Sequence, residues 1–152
     1  MKRHESIVPL SRDHHHGLLC CWKIRQGIKK KVAVTRIGAY IRYFWDIHLK
    51  DHFDEEEQWL FVAGDAQCAQ AIAEHRRLQA LQETIAANAV TGDVEAFADL
   101  LDRHIRFEER ILFPHLEQTL SAEKMAVIGT ALEASHKKTG QDDYPDAFWL
   151  DT

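Results

Sequence analysis

Two stretches of the chain pair an imidazole with a carboxylate one helical turn apart. The first is His52-Phe53-Asp54-Glu55-Glu56-Glu57-Gln58-Trp59-Leu60-Phe61, and the second is His104-Ile105-Arg106-Phe107-Glu108-Glu109-Arg110-Ile111-Leu112-Phe113, followed by Pro114. Aligned from the histidine, five of the ten positions agree: His, Glu, Glu, Leu and Phe. Residues four apart on a helix share a face, with Cβ atoms roughly 5–6 Å apart. His52 therefore points the same way as Glu56, and His104 the same way as Glu108. Each pair offers a nitrogen and an oxygen to one cation, and two such helices facing each other can hold a pair of ions between them.

The elements that must position these pairs read as helices. Ser11 is a candidate N-cap for a first helix reaching to about Lys31, with an apolar stripe of Leu10, His14, Leu18, Cys21, Ile24 and Ile28. Thr35 is a candidate cap for a second helix to about Val62, whose stripe runs Ile37, Ile41, Phe44, His48, His52, Glu56 and Trp59. Gly64-Asp65 ends that helix and caps a third, about 66 to 89, with the stripe Ile72, His75, Leu78, Gln82 and Ile85. Thr91-Gly92-Asp93 is the next break. A fourth helix, about 94 to 119, carries Phe97, Leu101, His104, Glu108, Ile111 and His115 or Leu116. Ser121 caps a shorter fifth segment to about Lys137. The tail from Thr139 to Thr152 ends in aromatics, Phe148 and Trp149 being the residues expected to fold back.

Turns this short force antiparallel neighbours. The expectation is a single all-α domain over 1–152: an up-down-up-down four-helix bundle over about 10–120, with a short fifth C-terminal helix and tail over 121–152. Counting from the turns tests whether the polar intrusions share a depth. His14 lies 19 residues before Ala33 and His52 lies 19 after it. His75 lies 17 before Gly92 and Glu108 lies 16 after it. Glu56 and His75 lie 8 and 11 residues from Gly64, a mismatch of about 4.5 Å at a rise of about 1.5 Å per residue. Four stripes thus place His14, His52, Glu56, His75, His104 and Glu108 in one layer.

Facing carboxylates buried in such a layer repel each other and lose hydration. A pair of di- or trivalent cations removes both problems. Carboxylate oxygen with imidazole nitrogen suits iron, manganese or zinc. Glutamates spanning two ions with histidines outside them form the arrangement of carboxylate-bridged di-iron sites. Four histidines and two glutamates leave positions open for a small molecule such as dioxygen.

Composition narrows the rest. The chain has 152 residues, enough for one domain with a core. Its net charge of −5 argues against a general nucleic-acid binder. Ten histidines are more than ordinary composition gives. No run of about 18 apolar residues predicts a membrane-spanning helix. The start, Met1-Lys2-Arg3-His4-Glu5-Ser6, is basic but leads into no apolar run, so no secretory leader is expected. Cys20, Cys21 and Cys68 are an odd set that reads as small buried residues in a reducing, cytoplasmic setting. There is no Gly-rich phosphate loop, nucleophile elbow or zinc-type Cys-x2-Cys.

The pattern His…His-x3-Glu…His…His-x3-Glu resembles the haemerythrin-like family, with its His-His-Glu cation-binding repeats. The resemblance is carried by Asp13-His14, His52 through Glu56, Glu74-His75 and His104 through Glu108. The flanks Glu56-Glu57 with Leu60-Phe61, and Glu108-Glu109 with Leu112-Phe113-Pro114, add to it. It covers about Leu10 to Leu120. It implies a four-helix bundle with a non-haem di-iron centre. The roles it implies are dioxygen binding, oxygen or nitric-oxide response, and iron handling. Two departures stand out. Oxygen carriers of the family have a fifth histidine four residues on from the one on the third helix, where this chain has Gln79. They also close with His-x4-Asp, where this chain has His-x3-Glu. A further ligand could come from His48, from His15 or His16, or from water. His15 and His16 are rotated by about 100° and 200° from the stripe that carries His14.

The remaining polar residues have plainer readings. His4, His115 and His136 are expected to face solvent, Glu55, Glu57 and Glu109 to be solvated neighbours of the ligands, and Tyr40, Tyr43, Trp45 and Trp59 to belong to the core. The leading functional reading is a cytoplasmic di-iron protein that binds or senses dioxygen, nitric oxide or redox state, with no nucleic-acid or membrane partner. One alternative is a di-iron enzyme or iron donor, for peroxide handling or iron–sulfur repair. The other is a metal-free helical interaction module. The reading favours a metal-binding or sensing protein over an enzyme.

Overall fold

In the computed structural model, residues 2–62, 64–136 and 142–151 are described. Among them the chain is helical and has no strand. The first helix is α1, Val8–Lys29. A second rod joins α2, Val34–Phe44, to α3, Lys50–Glu55, through a π-turn at Trp45–Leu49, and continues through a second π-turn at Glu56–Leu60. Then come α4, Ala66–Ala87, and α5, Thr91–Phe107. A third π-turn, Glu108–Leu112, joins α5 to α6, Phe113–Thr119. The last helix is α7, Ala122–Ser135.

Helix starts follow local chemistry, with two corrections to the sequence reading. Helix α1 begins at Val8, with Pro9 in its first turn where a missing N–H costs nothing. Ser11 is therefore inside the helix, and its hydroxyl donates to Glu109 at 2.8 Å instead of capping. Thr35 does not cap α2 either: the cap position is Ala33, which has no side-chain bond to give. Asp65 does cap α4, its carboxylate accepting the Cys68 N–H at 3.0 Å, and Gly64 before it takes the left-handed φ of 65° that the turn needs. Ser121 caps α7 by accepting the Lys124 N–H at 3.1 Å. The break before α5 falls just ahead of Thr91, since Val90 is the extended cap residue. Lys137, the expected end of the fifth helix, lies outside the described residues.

Packing is closest between α1 and α5; α1 also meets α2, α2 meets α4, and α4 meets α5. Gly17 allows the tightest approach, for a Cβ there would sit 2.6 Å from Ile105 Cδ1. The apolar residues form two clusters. One contains Cys20, Ile24, Tyr40, Phe44, Trp45, Phe53, Leu78, Phe97 and Leu101, the other Leu10, Leu60, Phe61, Cys68, Leu112, Phe113, Leu116 and Leu132. Tyr40 and Trp45 are buried core as expected, while Tyr43 and Trp59 pack on the edges. All three cysteines are buried and free. The end of the tail settles on the first cluster: Phe148 is buried, and the Tyr40 hydroxyl donates to Asp142 at 2.6 Å. Between the two clusters every rod turns polar.

Candidate metal centre

Each rod leaves its apolar stripe at one level. In α1 the change comes at Asp13 and His14, in the second rod at His52 and Glu56, in α4 at His75, and in the rod of α5 at His104 and Glu108. All six residues expected in the layer are brought together there and are buried, Glu56 and Glu108 with 0% exposure. They form two groups, His14/His52/Glu56/Glu108 and Glu56/His75/His104/Glu108, in each of which the ligand atoms lie within 4.8 Å of one another. Both glutamates belong to both groups. Glu56 Oε1 is 3.4 Å from His52 Nε2 and 3.2 Å from His75 Nε2. Glu108 Oε1 is 2.8 Å from His14 Nε2 and 3.5 Å from His104 Nε2.

The π-turns help place the glutamates. Two of them begin on Glu56 and Glu108, whose carbonyls accept the N–H groups of Phe61 and Phe113 five residues on. Such turns shift the register of everything beyond them, and they recur at functional sites. Here they let a glutamate face inward while Leu60 and Leu112 still reach the apolar cluster.

All four histidines present Nε2 to the centre and Nδ1 to a carboxylate. His14 Nδ1 meets Glu109 at 3.1 Å, and His52 Nδ1 meets Asp13 at 2.8 Å. His75 Nδ1 meets Glu57 at 2.7 Å, and His104 Nδ1 meets Glu74 at 2.7 Å. A carboxylate behind an imidazole fixes the ring and the tautomer and makes Nε2 a better ligand, the usual support of a metal-binding histidine. This corrects the sequence reading, which left Glu57 and Glu109 as solvated neighbours and gave Asp13 and Glu74 no role of their own. Each supporting carboxylate sits beside a candidate ligand in sequence yet serves a candidate ligand on another rod. The doublets Asp13-His14, Glu56-Glu57, Glu74-His75 and Glu108-Glu109 were the signal.

Among the described residues, the buried polar atoms without a hydrogen bond concentrate here: His52 Nε2, both oxygens of Glu56 and Glu108 Oε2. Burial without partners costs several kcal/mol per charged group. The donor set fits cations, which would turn these orphaned lone pairs into ligand bonds.

Electrostatics of the metal-free layer agree. Burial opposes charge on His14, yet Glu108 and Glu109 outweigh it and push the imidazole up to about 9. Glu56 and Glu57 likewise push His75 up to about 9 against burial. Burial raises the Glu108 carboxyl, and Glu56 opposite raises it further. An imidazole must be neutral to bind a metal. His14 and His75 are charged at pH 7 without metal, so loading both positions expels no fewer than about two protons per chain, and affinity rises from pH 7 towards pH 9. Adding zinc to weakly buffered metal-free protein at pH 7 measures this, and no acidification on saturation would contradict it.

The other candidates fall outside both groups. His15 and Gln79 are exposed, Gln79 on the rim of a surface cleft that also touches Glu57 and His75. His16 is half-buried with its ring 5.6 Å from that of His48. His48 is buried and stacked 6.0 Å from the His52 ring, and burial followed by His52 lowers it to about 4. It is a neutral ring backing a ligand. His4 is exposed as expected, and His115 is half-buried against Asp65 at 2.7 Å. His136 is a correction: instead of facing solvent it bonds Glu55 at 2.9 Å, and Glu55 is thereby held as well.

No curated protein and no solved structure matches the chain. A family model does, the hemerythrin HHE cation-binding domain, over residues 12–116. That stretch contains all six residues of the two groups and the four carboxylates behind the histidines, and the chain belongs to the hemerythrin HHE cation-binding domain family.

Proposed function

We propose that this protein is a non-haem di-iron protein that binds or senses dioxygen or nitric oxide, built as an up-down-up-down four-helix bundle closed by α7. The observation that carries the reading is the sharing of Glu56 and Glu108 between two groups, each completed by two histidines. Two carboxylates shared between the groups and four imidazoles are a donor set that would accept iron, manganese or zinc, and the family resemblance favours iron among them. When bound, a pair of irons supplies electrons and open positions for a diatomic ligand. The chain's own part is to orient the imidazoles through Asp13, Glu57, Glu74 and Glu109, and to keep bulk water out. Phe53 helps with both, its ring stacked 3.8 Å from His75 and edge-on to His104 at 5.5 Å.

Size favours a diatomic ligand over an organic substrate. A narrow cavity lined by Gly17, His48, Phe53, Leu101 and Ile105 touches His14, His52, His104 and Glu108, and it has room for little more than a water molecule. The exposed Gln79 at the place of a carrier's fifth histidine favours sensing or redox work over simple oxygen carriage. Among the described residues no helix is long and apolar enough to cross a membrane. The net charge of −5 speaks against a nucleic-acid partner, and the free, buried cysteines accord with a reducing, cytoplasmic setting.

Anaerobic purification followed by metal analysis tests the reading. The expected result is about two irons per chain, with near-ultraviolet charge-transfer bands that change on exposure to air or nitric oxide and return on reduction. A protein that binds no iron and keeps its full stability in chelator is instead a metal-free helical module. Peroxide turnover, or iron delivery to an apo-cluster protein, would mark the enzyme or donor alternative.

A further inference from the structure

Three of the four supporting carboxylates are held by residues close to or inside the matched stretch. Glu57 takes Arg76 at 3.0 Å, Glu74 takes Gln70 at 3.2 Å, and Glu109 takes Ser11 at 2.8 Å. Asp13 is the most buried of the four and is gripped from elsewhere. His136 follows directly after α7, beyond residue 116 where the family match ends. Its Nε2 is 3.4 Å from Asp13 Oδ1, while Asp13 Oδ2 meets His52 Nδ1 at 2.8 Å. Its Nδ1 meets Glu55 Oε1 at 2.9 Å, and the Ser135 hydroxyl donates to the other Glu55 oxygen at 3.2 Å. Glu55 directly precedes Glu56 in the same rod, and α7 touches the π-turn that Glu56 begins.

One carboxylate thus joins two imidazoles, the inner one facing the centre and the outer one mounted on α7. An aspartate has a short side chain and two usable oxygens, so fixing Oδ1 fixes the direction in which Oδ2 addresses His52. The grip on Glu55 anchors the same imidazole on α3, the helix that carries His52. Nothing equivalent from α7 reaches the carboxylates behind His75 and His104, among the contacts described for Glu57 and Glu74.

We infer that His136 is a positioning residue for the metal pair: by holding Asp13 and Glu55 it orients His52, so the end of α7 sets the affinity of the position made by His14 and His52 and leaves the position made by His75 and His104 unchanged. The inference rests on the di-metal reading above. It gives the segment beyond residue 116 a function, since loosening α7 would empty one position selectively.

The test is a cobalt(II) titration of the full-length metal-free protein, followed by visible absorption and direct metal counting, with thermal unfolding of each metal-free variant alongside. Wild type takes up about two cobalt ions. In His136→Ala one of the two affinities falls about 10–100-fold while the other holds. His136→Gln, whose amide N–H groups can be offered to Asp13 and Glu55, recovers most of the loss. Asp13→Asn reproduces the His136→Ala pattern and carries the test if that variant folds poorly. A His136→Ala protein with a lower melting temperature but two unchanged cobalt affinities would show that His136 only closes α7, and would overturn the inference while leaving the metal pair standing. Equal weakening at both positions would overturn it too. A wild type that binds no cobalt, iron or zinc would sink both the inference and the di-metal reading.

Discussion

A Glu56→Ala protein purified without oxygen carries neither ion, whereas His75→Ala keeps one. The difference follows from the shared carboxylates. Glu56 Oε1 approaches one histidine from each group, His52 at 3.4 Å and His75 at 3.2 Å, and Glu108 does the same for His14 and His104. Removing either glutamate takes a ligand from both positions and leaves the opposite carboxylate to neutralise two cations alone. Metal content should drop from about two ions per chain to about zero, a loss in affinity beyond the roughly 10–100-fold of a lost supporting residue. Removing His75 or His14 subtracts a ligand from one position only, so about one ion should remain. Metal analysis of Glu56→Ala, Glu108→Ala, His14→Ala and His75→Ala decides it. If the glutamate variants retain as much metal as the histidine variants, the two groups do not share their carboxylates.

Without metal, Glu108→Gln is more stable than the wild type; with metal, the order reverses. Glu108 is fully buried, and its carboxyl is raised by burial and by Glu56 facing it. A carboxyl raised on folding favours the protonated form in the folded state. Stability is then lost as the pH climbs from the unfolded value through the folded one, and the ionised group is a burden at neutral pH. The glutamine amide removes that charge while keeping the shape. Removing that charge relieves its repulsion with Glu56, and His14, which Glu108 helps to hold charged, keeps Glu109 as its carboxylate partner. Metal reverses the order because binding only to the folded state adds about 4 kcal/mol when the free ion is about a thousandfold above its dissociation constant. Glu108→Gln forfeits most of that. Thermal unfolding of both proteins, chelated and loaded at pH 7, gives the four melting temperatures. A chelated wild type that melts above chelated Glu108→Gln would mean that the carboxylates do not repel in the empty layer.

Much of the site was legible because a ligand must break an apolar stripe. His52, Glu56, His104 and Glu108 gave themselves away by repetition, and His14 and His75 by lying at the same distance from the turns. Helix boundaries were less readable. Ser11 and Thr35 have the chemistry of caps, but Pro9 starts α1 earlier and the chain enters α2 through Ala33. The π-turns left no mark that a period of about 3.6 residues would show, since each adds a single residue of slack. His136 was misread because a polar residue near a chain's end looks solvated until the fold reveals what it reaches. The supporting carboxylates were hidden for another reason. Glu57 and Glu109 sit beside Glu56 and Glu108, and only the packing of neighbouring rods shows that the second glutamate of each doublet meets an imidazole instead of solvent.

The imidazole supports also run in a circle. A carboxylate on α1 serves the second rod, one on the second rod serves α4, one on α4 serves α5, and one beyond α5 serves α1 again. A hoop of this kind has no free end at which to come apart. Cutting any one of its four staves removes a ligand and also slackens the ligand on the next, and a cut in the second rod or in the rod of α5 takes a glutamate from both positions together. Full grip on both ions should therefore appear late in refolding, when the last stave closes the circle.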